Sequence, residues 1–194
     1  VSPARPRTSR AAIIAAARDL LEDGGLDAVS VTAVAERVGV KAPSMYKHFA
    51  DRNELIAAVA TDVAVELGRT MASTAEACGP EPSVRLPALA NAYRAYSHAT
   101  PRAAALLFAG VTESTTPSIE AQAAAVRPVI EVAEAMVGRA RALAAARVVV
   151  AFAYGFTSME SAGAFRLGGD VDDAYRLGIE TLLEGLTADA LPGR

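Results

Sequence analysis

Nine consecutive residues, Lys41-Ala42-Pro43-Ser44-Met45-Tyr46-Lys47-His48-Phe49, bring together a hydroxyl, two ammonium groups, a phenol and an imidazole. Placed on a helix at about 100° per residue, Met45 and Phe49 fall on one side with Ala42. Pro43, Ser44, Lys47 and His48 fall on the other. Such a face, with Lys41 at its entrance, presents donors to base edges and phosphates in a major groove. Pro43 suits the first turn, where a missing N–H costs nothing. The helix N-terminus carries positive dipole character toward phosphate. Tyr46 lies at the edge of the buried side, its ring packed and its hydroxyl within reach of the backbone. The same spacing also describes a small helical corner with a solvated polar face, and spacing does not choose between the two.

Other chemistry has fewer candidates. The chain contains no Gly-x-Ser-x-Gly, no phosphate-cradling loop ending in Gly-Lys and no His-Glu-x-x-His. Its two histidines, His48 and His98, belong to no Glu-x-x-His pair, so a di-iron bundle is not supported. The single Cys78 cannot by itself form an intramolecular disulfide or a zinc site, and it points to a reducing, cytoplasmic setting. No catalytic residue, metal or cofactor is therefore expected. A helical enzyme remains only if the first 60 residues are ignored.

Charge sharpens the picture. The 194 residues carry a formal net charge of −3 and are 52% hydrophobic, which excludes a disordered chain. The total hides a division. Up to Arg52 there are eight basic and six acidic residues, a net of +2, and the remainder carries −5. A basic head on an acidic body is a partner-related asymmetry, although a soluble arginine-bearing tail would look alike. The longest uncharged apolar run, Val148 to Met159, is about half of the ~20 residues that a membrane span needs. Residues 1 to 18 hold four arginines and no continuous apolar stretch, so no signal peptide is expected there.

The elements that must position these groups read as all-helical, about nine helices, because alanine dominates and strand signals are nearly absent. A first helix from about Ser9 to Asp23 carries one apolar stripe, Ile13, Ile14, Ala17, Leu20 and Leu21, and stops at Gly24-Gly25. Ser30 caps a two-turn second helix ending at Gly39. The third spans about Ala42 to Phe49, and Asp51 caps a fourth from Arg52 to about Ala75. After the Cys78–Ser83 loop come helices over about Val84 to Ala99 and from Thr100-Pro101 to about Val111. Next, Ser118 caps a helix that Pro128 should kink. A long helix from Arg139 to about Leu167 follows, and Asp170 caps the last, to about Leu186. Two short helices around Gly39-Val40 have the dimensions of a helix-turn-helix.

The stretch Val31-Thr32-Ala33-Val34-Ala35-Glu36-Arg37-Val38-Gly39-Val40, then Pro43-Ser44-Met45-Tyr46-Lys47-His48-Phe49 and Arg52-Asn53-Glu54-Leu55, resembles the N-terminal domain of the TetR family of one-component transcriptional regulators. The likeness covers about Arg10 to Ala60, and Ala50 departs from it where a polar or basic residue is common. The resemblance implies a three-helix DNA-binding domain over 1–54 and a larger effector-binding and dimerisation domain over 55–194. It implies base and phosphate contacts from Ala42, Pro43, Ser44, Tyr46, Lys47 and His48, joined by Lys41, and phosphate contacts from Thr32 and Arg52. Arg5, Arg7 and Arg10 resemble the basic arms that some members lay along the minor groove or backbone, with a disordered tail as the alternative for Arg5 and Arg7.

In the body, Ala151 to Glu160 resembles a subgroup of the family that usually carries a tryptophan and a His-Gly pair. Here Tyr154 stands in the histidine's place and the chain has no tryptophan. Between Arg147 and Glu160 the helix is uncharged, so it must be buried on more than one side. Ala151, Gly155 and Gly163 form a small-residue face for a close helix partner. With Leu182, Leu183 and Leu186 of the last helix, they give an isologous four-helix interface between two copies, against the alternative of a single-chain core. Tyr93, Tyr96, His98, Phe108, Met136, Phe152, Tyr154 and Met159 are available to line a pocket for a small hydrophobic effector. The expectation is a cytoplasmic homodimeric repressor with no membrane role, released from a palindromic operator by its effector. The alternative is an architectural DNA-binding protein without one.

Overall fold

The computed structural model describes residues 9–108 and 115–188, and among them every regular element is helical. Eight α-helices and two 3-10 segments follow one another. The expected third helix is one of the 3-10 segments, and a further one-turn segment, Leu26–Ala28, went unanticipated.

Helix α1 (Arg10–Gly24) begins where the Ser9 hydroxyl accepts the Ala12 N–H at 3.1 Å, satisfying one of the unpaired donors of a helix start. It ends at Gly25, whose φ of 77° an L side chain rarely adopts. Ser30 caps α2 (Val31–Arg37) in the same manner, accepting from Ala33 at 3.1 Å. Residues Ala42–Lys47 wind as a 3-10 segment rather than the α-helix expected, with the His48 N–H bonded to Met45 O at 2.8 Å. Six residues opened by proline offer little room for α-type ladders, and tight i→i+3 bonds suit short pieces. Helix α3 (Arg52–Ala77) opens with a reciprocal cap. The Glu54 N–H donates to Asp51 Oδ1 at 2.9 Å, and Glu54 Oε2 accepts the Ala50 N–H at 2.6 Å.

The remaining helices are α4 (Pro82–Ala99), α5 (Pro101–Leu106), α6 (Ile119–Val137), α7 (Arg139–Ser161) and α8 (Val171–Ala188). Helix α5 stops at Leu106, short of the expected Val111, which lies outside the described residues. Helix α6 runs through Pro128 as one element. Helix α7 ends at Ser161 instead of near Leu167. Gly163, at φ 63°, turns the chain while its N–H bonds Glu160 O and that of Ala164 bonds Met159 O, both at 2.9 Å. Asp170 then caps α8, accepting from Asp172 at 2.8 Å and Asp173 at 3.2 Å.

The chain divides into two compact units. One takes the chain up to Ala64 together with the segment from Arg102 to Ser118. Its buried side chains include Ile13, Leu21, Val34, Met45, Phe49 and Leu55. The later segment is tied in at both ends. Glu22 Oε1 accepts the Ala103 N–H at 2.6 Å, the Arg102 guanidinium donates to the Glu22 carbonyl, and the Ser118 N–H donates to Thr61 Oγ1 at 3.0 Å.

The second unit takes Val65–Pro101 and the chain from Ile119 on. Helix α7 is its hub, packed on α4, α6 and α8 through Ala142, Ala145, Ala146, Val149, Ala153 and Thr157. Small side chains let these helices approach closely. At Gly68 an added Cβ would already lie 3.3 Å from the α6 backbone at Ala125. Taken whole, α7 is long and apolar enough to cross a membrane by length and composition, which the run Val148–Met159 alone is not. Part of that apolarity is covered by α4, α6 and α8, and part is left exposed at Leu143, Val148 and Met159, so the helix is not buried all round as its uncharged run led one to expect.

Candidate nucleic-acid interface and ligand-binding body

The Ala42–Lys47 segment is anchored by Met45 and Phe49, both almost completely buried, so the residues between them are turned outward. Tyr46 is 59% exposed, more than a ring packed at the edge would be. Lys41, Pro43, Ser44 and Lys47 are exposed, Ala42 and His48 are half-buried, and Thr32 is exposed on the first turn of α2. Among the described residues, the side chains of Lys41, Ser44, Tyr46, Lys47 and His48 make no hydrogen bond or ion pair. Within eight residues they offer a cluster of donors that stay unused among the described residues.

Arg52 is different. Its Nε donates to Val29 O and its Nη2 to Leu26 O, each at 2.6 Å, so the guanidinium is committed to the turn before α2. Arg52, expected on a phosphate, spends two of its donors on a staple that joins the start of α3 to the Leu26–Ala28 turn. A guanidinium has five donors in a planar fork and readily closes two carbonyls at once. Sequence spacing could not show this, because those carbonyls belong to backbone 23 to 26 residues earlier. Arg10 lies over the Phe49 ring at 4.7 Å, a further brace for the recognition segment. Arg5 and Arg7 lie outside the described residues.

In the body, an inward-facing network holds α4, α7 and α8 together. Tyr175 of α8 is fully buried and donates to Ala90 O at 2.7 Å. Its ring stacks on Phe152 at 5.7 Å and meets Phe156 edge-on at 5.1 Å. Arg94 of α4 sits 4.7 Å above that ring and forks onto Glu160 of α7, with Nε to Oε2 at 2.9 Å and Nη2 to Oε1 at 2.5 Å. The same Nη2 reaches Asp172 at 2.7 Å, and His98 Nε2 lies 2.9 Å from Glu160 Oε2. The bond to Arg94 holds the Glu160 carboxyl below its usual range, against the opposing effect of burial, and His98 adds to it. Burial drives the Tyr175 phenol far above its ordinary range and raises that of Tyr93.

Of the expected pocket residues, Tyr93, Tyr96 and Met136 are buried, and Phe152 and Tyr154 are half-buried. Tyr96 donates to Glu66 at 3.3 Å. His98 is tied to Glu160 and Met159 is half exposed. Phe108 lies in the turn after α5, in the other unit. Sequence reasoning overlooked Arg94, Glu160, Tyr175 and Gly178. A Cβ at Gly178 would fall 2.1 Å from the Phe152 ring, so glycine here is what lets that ring enter α8. An isolated glycine in a helical pattern was the one readable signal.

Of the expected interface residues, Ala151 is exposed and Gly155 is half-buried, with open space where a Cβ would stand. Leu182, Leu183 and Leu186 are half-buried. Gly163 lies past the end of α7, in the turn, and forms no part of a helix face. Val148 and Leu177, 50% and 63% exposed, extend the apolar surface on α7 and α8.

A helix-turn-helix with exposed donors, followed along the chain by an all-helical second unit, is an arrangement found among DNA-binding regulators. Comparison with family models narrows this. The model for bacterial regulatory proteins of the tetR family matches residues 13–59, and the tetracyclin repressor-like C-terminal domain matches residues 86–182. The chain belongs to the TetR family of transcriptional regulators, and it is a DNA-binding regulator, not an enzyme.

Solved structures agree. A protein with unknown function from Rhodococcus sp. RHA1 is 25% identical with a TM-score of 0.80, over 96% of this chain and 100% of that one. A possible TetR family transcriptional regulator from Streptomyces coelicolor A3(2) is 25% identical with a TM-score of 0.72, over 93% and 99%. BioQ from Mycobacterium smegmatis is 25% identical with a TM-score of 0.69, over 94% and 99%. A search of curated proteins finds no match.

Proposed function

We propose that the chain is a homodimeric, cytoplasmic repressor that leaves a palindromic operator when a small hydrophobic effector occupies its body. The observation that carries this reading is the cluster of unused donors over Lys41–His48, held outward by the burial of Met45 and Phe49. Residues 1–54 read DNA, with Lys41, Ala42, Pro43, Ser44, Tyr46, Lys47 and His48 in the groove and Thr32 on a phosphate. Arg5 and Arg7 follow the backbone. Two such units enter successive major grooves about one helical turn apart. Residues 55–194 bind the effector among Tyr93, Tyr96, Met136, Phe152 and Tyr154, where large apolar side chains are mixed with a few hydroxyls. They also dimerise through α7 and α8, whose apolar faces are half exposed in one copy. The effector acts by binding the two spacings of the DNA-binding units with different affinity.

A mobility-shift assay on the DNA upstream of the gene tests this. The protein should shift that DNA at low micromolar concentration or below. Affinity should fall steeply between about 50 and 200 mM salt, because each phosphate contact releases counterions. Absence of a shift, or one indifferent to salt, would overturn the DNA assignment. Adding hydrophobic metabolites should release the DNA, whereas an architectural protein would hold it throughout.

A further inference from the structure

We propose that Arg94 is a positioning residue of the dimer interface, setting the angle at which α8 leaves its own subunit. The inference rests on the reading above that α7 and α8 form that interface.

Helix α8 has 18 residues, yet only Tyr175 and Ile179 are buried, and both lie in its first half. Beyond Ile179 its apolar side chains, Leu182, Leu183 and Leu186, are only half covered. The N-terminal half must therefore fix the direction of the whole helix. The connection from α7 contributes one ring contact, Phe165 on Phe156 at 4.7 Å, while residues 162–170 are otherwise exposed and turn at Gly163, Gly168 and Gly169 with positive φ.

Arg94 supplies what the connection lacks. From α4, its guanidinium covers the Tyr175 ring at 4.7 Å and bonds Asp172 at 2.7 Å, two points on α8 one turn apart. It also grips Glu160 near the end of α7 with two further bonds. One planar side chain thus links three helices where α7 gives way to α8. A lysine, with one ammonium group, could not reproduce the fork and the ring contact together. The lever is long. Leu186 lies roughly 16 Å along the axis from Tyr175, at 1.5 Å per residue. A swing of about 10° at the pivot would displace it by about 3 Å, and twofold symmetry repeats the error on the partner.

Sedimentation equilibrium on the full chain tests the assignment, with far-UV circular dichroism and thermal unfolding measured on the same samples. Arg94→Met should raise the dimer dissociation constant by about tenfold or more while helical content is kept. Arg94→Lys should fall between it and the unmodified protein, and Glu160→Gln should shift the constant in the same direction. If Arg94→Met does not fold, the last two variants decide. A dimer constant within about twofold of the unmodified protein, with only the melting temperature lowered, would reduce Arg94 to a stabilising contact and overturn the inference. An unmodified protein that is monomeric throughout would overturn the dimer reading and this inference with it.

Discussion

The recognition segment of the DNA-facing unit and the α4–α7–α8 junction of the body treat their polar side chains in opposite ways. In the first, Lys41, Ser44, Tyr46 and Lys47 face out and bond to nothing among the described residues. In the second, Arg94, Glu160 and Tyr175 turn in and satisfy one another or the backbone. Unused donors at a surface contribute nothing to folding and are free for a partner. Buried polar groups are costly unless paired, so their pairing fixes how helices meet. The contrast separates residues that recognise from residues that position.

The sharpest way to break that contrast is Lys47→Ala combined with Tyr46→Phe. Both positions are exposed, so helicity, melting temperature and dimer content should stay the same. Operator affinity should fall by about a hundredfold, if each lost contact is worth about 1–3 kcal/mol. Fluorescence anisotropy with the operator measures it. Unchanged affinity would sink the groove assignment.

Two glycines in the body test the same division at a smaller scale. Gly178→Ala drives a Cβ into the Phe152 ring and should destabilise the fold by about 1–3 kcal/mol, the usual range for overpacking. Gly155→Leu meets open space in one subunit, so it should leave monomer stability nearly unchanged and weaken the dimer instead. Denaturant titration and sedimentation read the two effects separately. If Gly155→Leu stays fully dimeric, the close helix contact is misplaced.

These regions also differed in how far the sequence revealed them. The helix-turn-helix was legible because its signals are local. Ser30, Gly39, Pro43 and Asp51 punctuate it within about 20 residues, and Met45 and Phe49 orient it by simple periodicity. What escaped was the Arg52 staple, since a basic residue near DNA invites a phosphate and its carbonyl partners carry no side-chain mark. The body hid more. Arg94 and Glu160 are 66 positions apart, and Ala90 and Tyr175 are 85 apart, so no spacing argument could join them. The end of α7 was overrun because Phe165 and Leu167 continue an apolar pattern, whereas Gly163 had already turned the chain.

The smallest expected effect is electrostatic, and it follows from the same buried pairing. Glu160 is held below its ordinary range chiefly by Arg94, so the folded chain favours the carboxylate more than the unfolded chain does. As pH falls through the usual glutamate value of about 4.3, the unfolded state takes up its proton first. Stability from this group is therefore complete above that value and is lost as pH drops through the lower, folded one. Asp172 also meets the Arg94 fork and His98 also meets Glu160, so the pair does not act alone. Glu160→Gln keeps the shape but cannot titrate. It should be less stable at neutral pH, yet its melting temperature should decline less steeply below about pH 4.3 than that of the unmodified protein. Parallel declines would mean that the Arg94–Glu160 pair does not distinguish the folded from the unfolded state. The inward network would then lose its claim to set how α4, α7 and α8 meet.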